Sequence, residues 1–148
     1  MTIQPTQLVM LCVLVAATVV LGVVWKVRQG RVRTTSARQD PAVDWAARGV
    51  RLGERATFVQ LSAEVCAPCR ATARVLTGLA AREAGVEHHE LDVDDHLDLV
   101  RELGVLTTPT VLVLDATGAQ AARSSGAMSP AQARQALAAA LPAPAGAA

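Results

Sequence analysis

The hydrophobic and polar positions divide the chain into four stretches. From Leu8 to Trp25 every side chain is uncharged and nearly all are apolar. At about 1.5 Å per residue such a run approaches the thickness of a bilayer's hydrocarbon core, so residues 1–27 read as a single membrane-spanning anchor. Residues 28–40 show no sustained apolar period and four of the chain's basic side chains, which reads as a basic flexible linker. A coil of that length spans on the order of 20 Å and would keep the next stretch close to the membrane. Residues 142–148, Pro-Ala-Pro-Ala-Gly-Ala-Ala, have nothing to bury and read as a disordered tail.

Between linker and tail, residues 41–141 alternate strand-like and helix-like periods. Pro41 to Val50 is expected to form a short helix capped by Asp40, with Val43 and Trp45 on its apolar side. Thr57 to Ser62 reads as a strand, and Arg70 to Ala84 as a long helix ended by Gly85. Val86 to Val93 gives a second strand, Asp95 to Leu103 a short helix capped by Asp94 or Asp95, and Thr110 to Leu114 a continuous apolar strand. Asp115 to Gly118 is a turn, Ala119 to Ser125 a returning strand, and Ser129 caps a last helix from Pro130 to Leu141. This order predicts an α/β domain with a central mixed β-sheet and helices on both faces.

Charge and composition narrow the function. The formal net charge is +1 over 148 residues and only Trp25, Trp45 and Phe58 are aromatic, so neither an electrostatic nor a stacking case for nucleic acid exists. Lys26, Arg28, Arg31 and Arg33 follow the apolar run, whereas residues 1–7 carry no charged side chain. The positive-inside rule then expects a cell-membrane protein of one pass with its folded domain in the cytoplasm, the extracytoplasmic side being the alternative.

Cys66-Ala67-Pro68-Cys69 carries the chemistry. The third cysteine, Cys12, lies in the apolar run and reads as filler. Two thiols three residues apart at a helix start can make and break one disulfide, or supply half of a tetrahedral zinc site. No second Cys-x-x-Cys supplies the other half. His88, His89, Glu90, Asp92, Asp94, Asp95 and His96 contain metal-ligating types, but neighbouring strand residues point to opposite faces, which separates His88 from His89. No metal and no cofactor are expected.

The chain resembles the thioredoxin family, in particular bacterial membrane-anchored thioredoxin-like proteins, over nearly all of residues 41–141. Three landmarks in order carry the resemblance: Cys66-Ala-Pro-Cys69 after a strand, Thr107-Thr108-Pro109-Thr110 before an apolar strand, and Ser125-Gly126 before the last helix. The resemblance implies a thioredoxin fold, a redox-active disulfide between Cys66 and Cys69, a cis peptide bond at Pro109 beside them, and substrate pairing with the Thr108 backbone. The helix dipole independently favours a thiolate at Cys66, making it the attacking nucleophile and Cys69 the resolving thiol. Pro68 fits a first helical turn, and Arg70 adds positive charge nearby.

The chain also departs from the family pattern. The buried Asp that the reductant thioredoxins carry six residues before the first cysteine is Gln60 here, and a carboxamide exchanges no proton. Val65 and Ser62 stand where tryptophans are usual, and Ala67-Pro68 replaces Gly-Pro. The expected function is a membrane-anchored thiol-disulfide oxidoreductase that reduces protein disulfides, with a disulfide-containing protein and an upstream thiol donor as partners and a monomeric domain. The alternatives are a redox-silent scaffold of the same fold and a metal or iron-sulfur carrier bridging two chains through its thiols.

Overall fold

A computed structural model describes residues 5–28, 33–34 and 43–141. The first helix, α1, runs over Pro5–Arg28. Its side chains from Val9 to Val23 are exposed, Met10 by 76% and Leu21 by 70%. Among the described residues no helix is long and apolar enough to cross a membrane. The expected span begins at Leu8 and ends at Trp25, and the side chains of Leu8, Trp25, Lys26 and Arg28 lie outside the described residues, as does Arg31.

The linker contains an element that periodicity did not signal. Arg33–Thr34 forms a short strand, β1, antiparallel to β5 (Gln120–Ser125), with Arg33 opposite Arg123 and Thr34 opposite Ala122. Two residues are too few to show an alternation, and what selects them is the unpaired backbone at the edge of β5. The expected helix at residues 41–50 is, in its described part, a single 3₁₀ turn over Ala46–Arg48, closed by Gly49 at φ 73°. Its proposed cap, Asp40, and Pro41 lie outside the described residues, as does the tail from 142 onward. Arg48 joins Asp98 at 2.7 Å and ties this turn to α3 (Leu97–Glu102).

The remaining elements are β2 (Ala56–Ser62), α2 (Ala67–Ala80), β3 (Val86–Asp92), β4 (Thr110–Asp115) and α4 (Pro130–Ala140). The sheet order is β1-β5-β4-β2-β3, with β2 and β3 parallel and the other pairs antiparallel. β2 is central and buried along its whole length. Alternation therefore sends its residues to two cores. Ala56 and Phe58 pack with Leu76 of α2 and with Ala133, Ala136 and Leu137 of α4. Val59 and Leu61 pack on the opposite face with Trp45, Leu99 and Leu103. Gln60 and Ser62 share the parity of Phe58 and so face α2.

The helix boundaries shift from those expected. α2 starts at Ala67, three residues early, because Cys66 caps it, and it stops at Ala80 before an irregular turn that delivers Gly85 at φ 75°. α3 starts at Leu97 with His96 at the cap position and no side-chain capping bond. Asp94 and Asp95 do not cap it: the Asp94 amide instead donates to the Asp92 carboxylate at 2.9 Å, which closes a turn before the helix. α4 carries the expected cap at Ser129, which exchanges bonds with Gln132.

Candidate redox site

Chain direction brings the site together at one end of the sheet. β2 leads out through Ala63–Val65 to Cys66, which sits in extended conformation as the cap of α2, with Pro68 in the first turn. Cys66 and Cys69 are joined by a disulfide, their Cα atoms 5.2 Å apart. The amide of Cys69 donates to Cys66 Sγ at 3.1 Å, and the amide of Arg70 donates to the Cys66 carbonyl at 3.2 Å. Cys66 keeps 8% of its surface exposed and Cys69 1%. Ala67, Pro68 and the Arg70 side chain are exposed.

The second landmark lies at the same end. Antiparallel pairing sets Thr110 opposite Leu61, so Pro109 continues alongside Ser62, where β2 leaves for the cysteines. The Thr108-Pro109 peptide bond is cis, as the resemblance implies. Pro109 is buried and Thr108 half-buried. Thr110 Oγ1 donates to the Thr107 carbonyl at 2.7 Å, and the Gly126 amide donates to the Pro109 carbonyl at 2.7 Å. The third landmark thus holds the second in place, through a glycine at φ 93°.

Gln60 is fully buried beneath α2. Its Nε2 has two hydrogens and lies within donating distance of three acceptors, the Cys69 carbonyl at 3.0 Å, Glu90 Oε1 at 3.0 Å and Ser62 Oγ at 2.8 Å. Ser62 Oγ also donates to Glu90 Oε1, at 2.5 Å. Gln60 Oε1 is buried without a hydrogen-bond partner. An amide nitrogen, not an oxygen, must face a carboxylate and a carbonyl, which fixes this orientation.

Glu90 as a partner of Gln60 was not anticipated from sequence. The signal that points to it is the parallel register that sets Gln60 opposite Glu90, with both side chains on the α2 face. The metal-ligating types around it do not converge on one point. His88 Nδ1 meets Thr77 Oγ1 of α2 at 3.0 Å, and His89 Nε2 meets the Arg51 carbonyl at 2.9 Å. Burial holds the His88 imidazole below its usual pKa.

Two large apolar side chains next to the motifs are left uncovered. Val65, which precedes Cys66, is 92% exposed, and Leu106, which precedes Thr107, is 95% exposed. Both exceed every other exposed large hydrophobic side chain among the described residues.

Residues 44–141 match the family of the thioredoxin-like domain. Among solved structures the chain is similar to the thioredoxin of Fasciola hepatica, with 27% identity and a TM-score of 0.53 over 60% of this chain and 83% of that one. It is also similar to thioredoxin NaTrxh from Nicotiana alata, with 26% identity and a TM-score of 0.53 over 60% of this chain and 76% of that one. Chloroplastic thioredoxin z gives 26% identity and a TM-score of 0.52 over 57% of this chain and 77% of that one. No curated protein matches the sequence.

Proposed function

The chain belongs to the thioredoxin-like family, and from that premise we propose that it is a thiol-disulfide oxidoreductase that cycles Cys66 and Cys69 between dithiol and disulfide. The observation that carries this reading is the Cys66-Cys69 disulfide at the start of α2, with the Cys69 amide aimed at Cys66 Sγ. In the dithiol that amide, with the helix dipole, stabilises negative charge on Cys66. Cys66 thiolate attacks a substrate disulfide, forming a mixed disulfide and expelling one substrate thiolate. Cys69 then attacks Cys66 Sγ, the enzyme disulfide forms, and the second substrate thiolate leaves. The substrate gains two electrons and two protons, and a thiol donor later returns both to the enzyme. The Thr108 backbone pairs with the extended substrate segment, in keeping with its half-buried place before Pro109.

We also place the enzyme at the cell membrane, anchored by α1. The uncharged run from Leu8 to Trp25, and the exposed apolar side chains from Val9 to Val23, support an anchor. The basic residues from Lys26 to Arg33 support a cytoplasmic domain. Its substrates are then disulfide proteins near the bilayer, and its cytoplasmic poise makes it a reductant.

The test is a Cys69→Ser variant in cells. A protein held on Cys66 through a reducible bond is the expected result, together with disulfide reduction by the wild type when a thiol donor is present. Absence of both leaves the redox-silent scaffold as the reading. A membrane-impermeant thiol reagent that labels Cys66 in intact cells, in the dithiol form, would move the domain to the outer side.

A further inference from the structure

We infer that Glu90 is the proton acceptor for Cys69, a carboxylate supplied from β3 because position 60 lacks one. The inference rests on the oxidoreductase reading above and extends it to the second chemical step. Cys69 must lose a proton before its sulfur can attack Cys66, and Cys69 is 1% exposed, so that proton does not pass straight to bulk solvent and needs a relay to an acceptor. Gln60, fully buried against it, has no proton to exchange.

What Gln60 does is hold a carboxylate. Its Nε2 lies 3.0 Å from the Cys69 carbonyl and 3.0 Å from Glu90 Oε1, so that carboxylate oxygen is no more than about 6 Å from the Cys69 backbone. Ser62 Oγ fixes the same oxygen from a second direction at 2.5 Å. Two donors on one oxygen orient the carboxylate, while the Glu90 side chain is otherwise exposed. One end of Glu90 therefore reaches the buried amide under α2 and the other reaches water. Gln60 and Ser62 are positioning residues in this arrangement.

The surroundings of Glu90 come from three elements. β2 contributes Gln60 and Ser62, neither charged, and α2 contributes the Cys69 end of the helix. On β3 the titratable groups on the same face are His88 and Asp92, two residues to either side of Glu90, and Glu90 favours the positive charge of His88. Among the described residues Glu90 makes no ion pair.

In the resolving step Cys69 Sγ-H gives its proton to a water, which passes one proton to Glu90. The sulfur electron pair forms the bond to Cys66 Sγ as the bond from Cys66 to the substrate sulfur breaks. The substrate leaves as a thiolate and takes a proton from solvent, and Glu90 returns its proton to solvent on its exposed side.

The test uses reduced full-length protein and one equivalent of a chromogenic aromatic disulfide. Attack by Cys66 releases the first aromatic thiolate and resolution by Cys69 releases the second, so one trace times both steps. Glu90→Gln keeps the size and the bonds to Gln60 and Ser62. It is expected to leave the first phase within about twofold and to slow the second on the order of 10²-fold, the scale of general-base assistance. The second phase should then steepen to about tenfold per pH unit as hydroxide takes over. Gln60→Asp placed in the Glu90→Gln protein returns a carboxylate to the site and is expected to recover most of the second phase. An unchanged second phase and pH profile in Glu90→Gln overturns the inference while leaving the oxidoreductase reading intact, and equal slowing of both phases overturns it in favour of a structural role. Absence of the first phase in the wild type overturns the oxidoreductase reading, and this inference with it.

Discussion

The backbone amide of Cys69 points at the sulfur of Cys66 from 3.1 Å, so the two thiols of one motif are chemically unequal. The cysteine that receives this bond is also the more exposed of the pair, at 8% against 1%. In the dithiol, one cysteine should therefore react and the other should wait.

Limited alkylation of the reduced protein with iodoacetamide at neutral pH is expected to modify Cys66 first. Its rate should persist well below pH 8.5, the ordinary thiol midpoint, because the amide and the helix dipole favour the thiolate. Peptide mapping by mass spectrometry checks the order. Modification of Cys69 ahead of Cys66, or at the same rate, contradicts the assignment of attacking and resolving roles.

Val65 and Leu106 are almost fully exposed, and each adjoins a site motif in the chain. Covering one such side chain with a substrate stabilises the complex by about 1.5 kcal/mol or more, roughly tenfold in affinity. Val65→Asp and Leu106→Asp are each expected to lower kcat/KM for a protein disulfide by about tenfold. A small aromatic disulfide, which needs no such docking, should react within about twofold of wild type. Equal losses on both substrates would show that these residues act on the chemistry and not on docking.

Much of this arrangement was legible in the order of residues, for identifiable reasons. The continuous apolar run from Thr110 to Leu114, the cap at Ser129 and the glycine turns are local signals, and each element they mark is present. The cysteine pair and Pro109 were legible only through resemblance, since spacing alone leaves metal, scaffold and redox readings open. What stayed hidden depends on pairing between distant segments. β1 exists because the edge of β5 is free, and no property of Arg33 or Thr34 announces it. The role of Glu90 depends on the register that sets it opposite Gln60. Along the chain Glu90 is one carboxylate in a polar strand end; across the sheet it meets Gln60, which also reaches the Cys69 carbonyl.

Gly53 marks a close approach that a side chain would break. A Cβ there would lie 2.5 Å from the Ala56 carbonyl oxygen and 2.6 Å from that of Gly85, both backbone atoms. The neighbouring strands β2 and β3 would have to part at their first residues. Gly53→Ala is expected to cost about 2 kcal/mol or more in urea unfolding, within the range of overpacking. The site lies at the far end of β2, so the folded variant should retain its rate with a small disulfide. Wild-type stability in this variant would mean that the strand entry relaxes freely.

His88 contributes to how stability responds to acid. Burial holds its pKa below the ordinary value near 6.5, outweighing the opposing pull of Glu90. Nδ1 faces Thr77 Oγ1 at 3.0 Å and Nε2 is buried without a partner, so a proton on Nε2 would have no acceptor. Above the unfolded pKa both states are neutral and the histidine makes no pH-dependent contribution. As pH falls through about 6.5 the unfolded chain takes up a proton that the folded chain refuses, and folding weakens until the lower folded pKa is reached. The wild-type melting temperature is therefore expected to drop between pH 7 and pH 5, and His88→Gln, which does not titrate, should remove part of that drop. Thermal unfolding of both proteins at the two pH values checks the sign. A His88→Gln protein whose melting temperature falls as far as that of the wild type would assign the acid response to other groups.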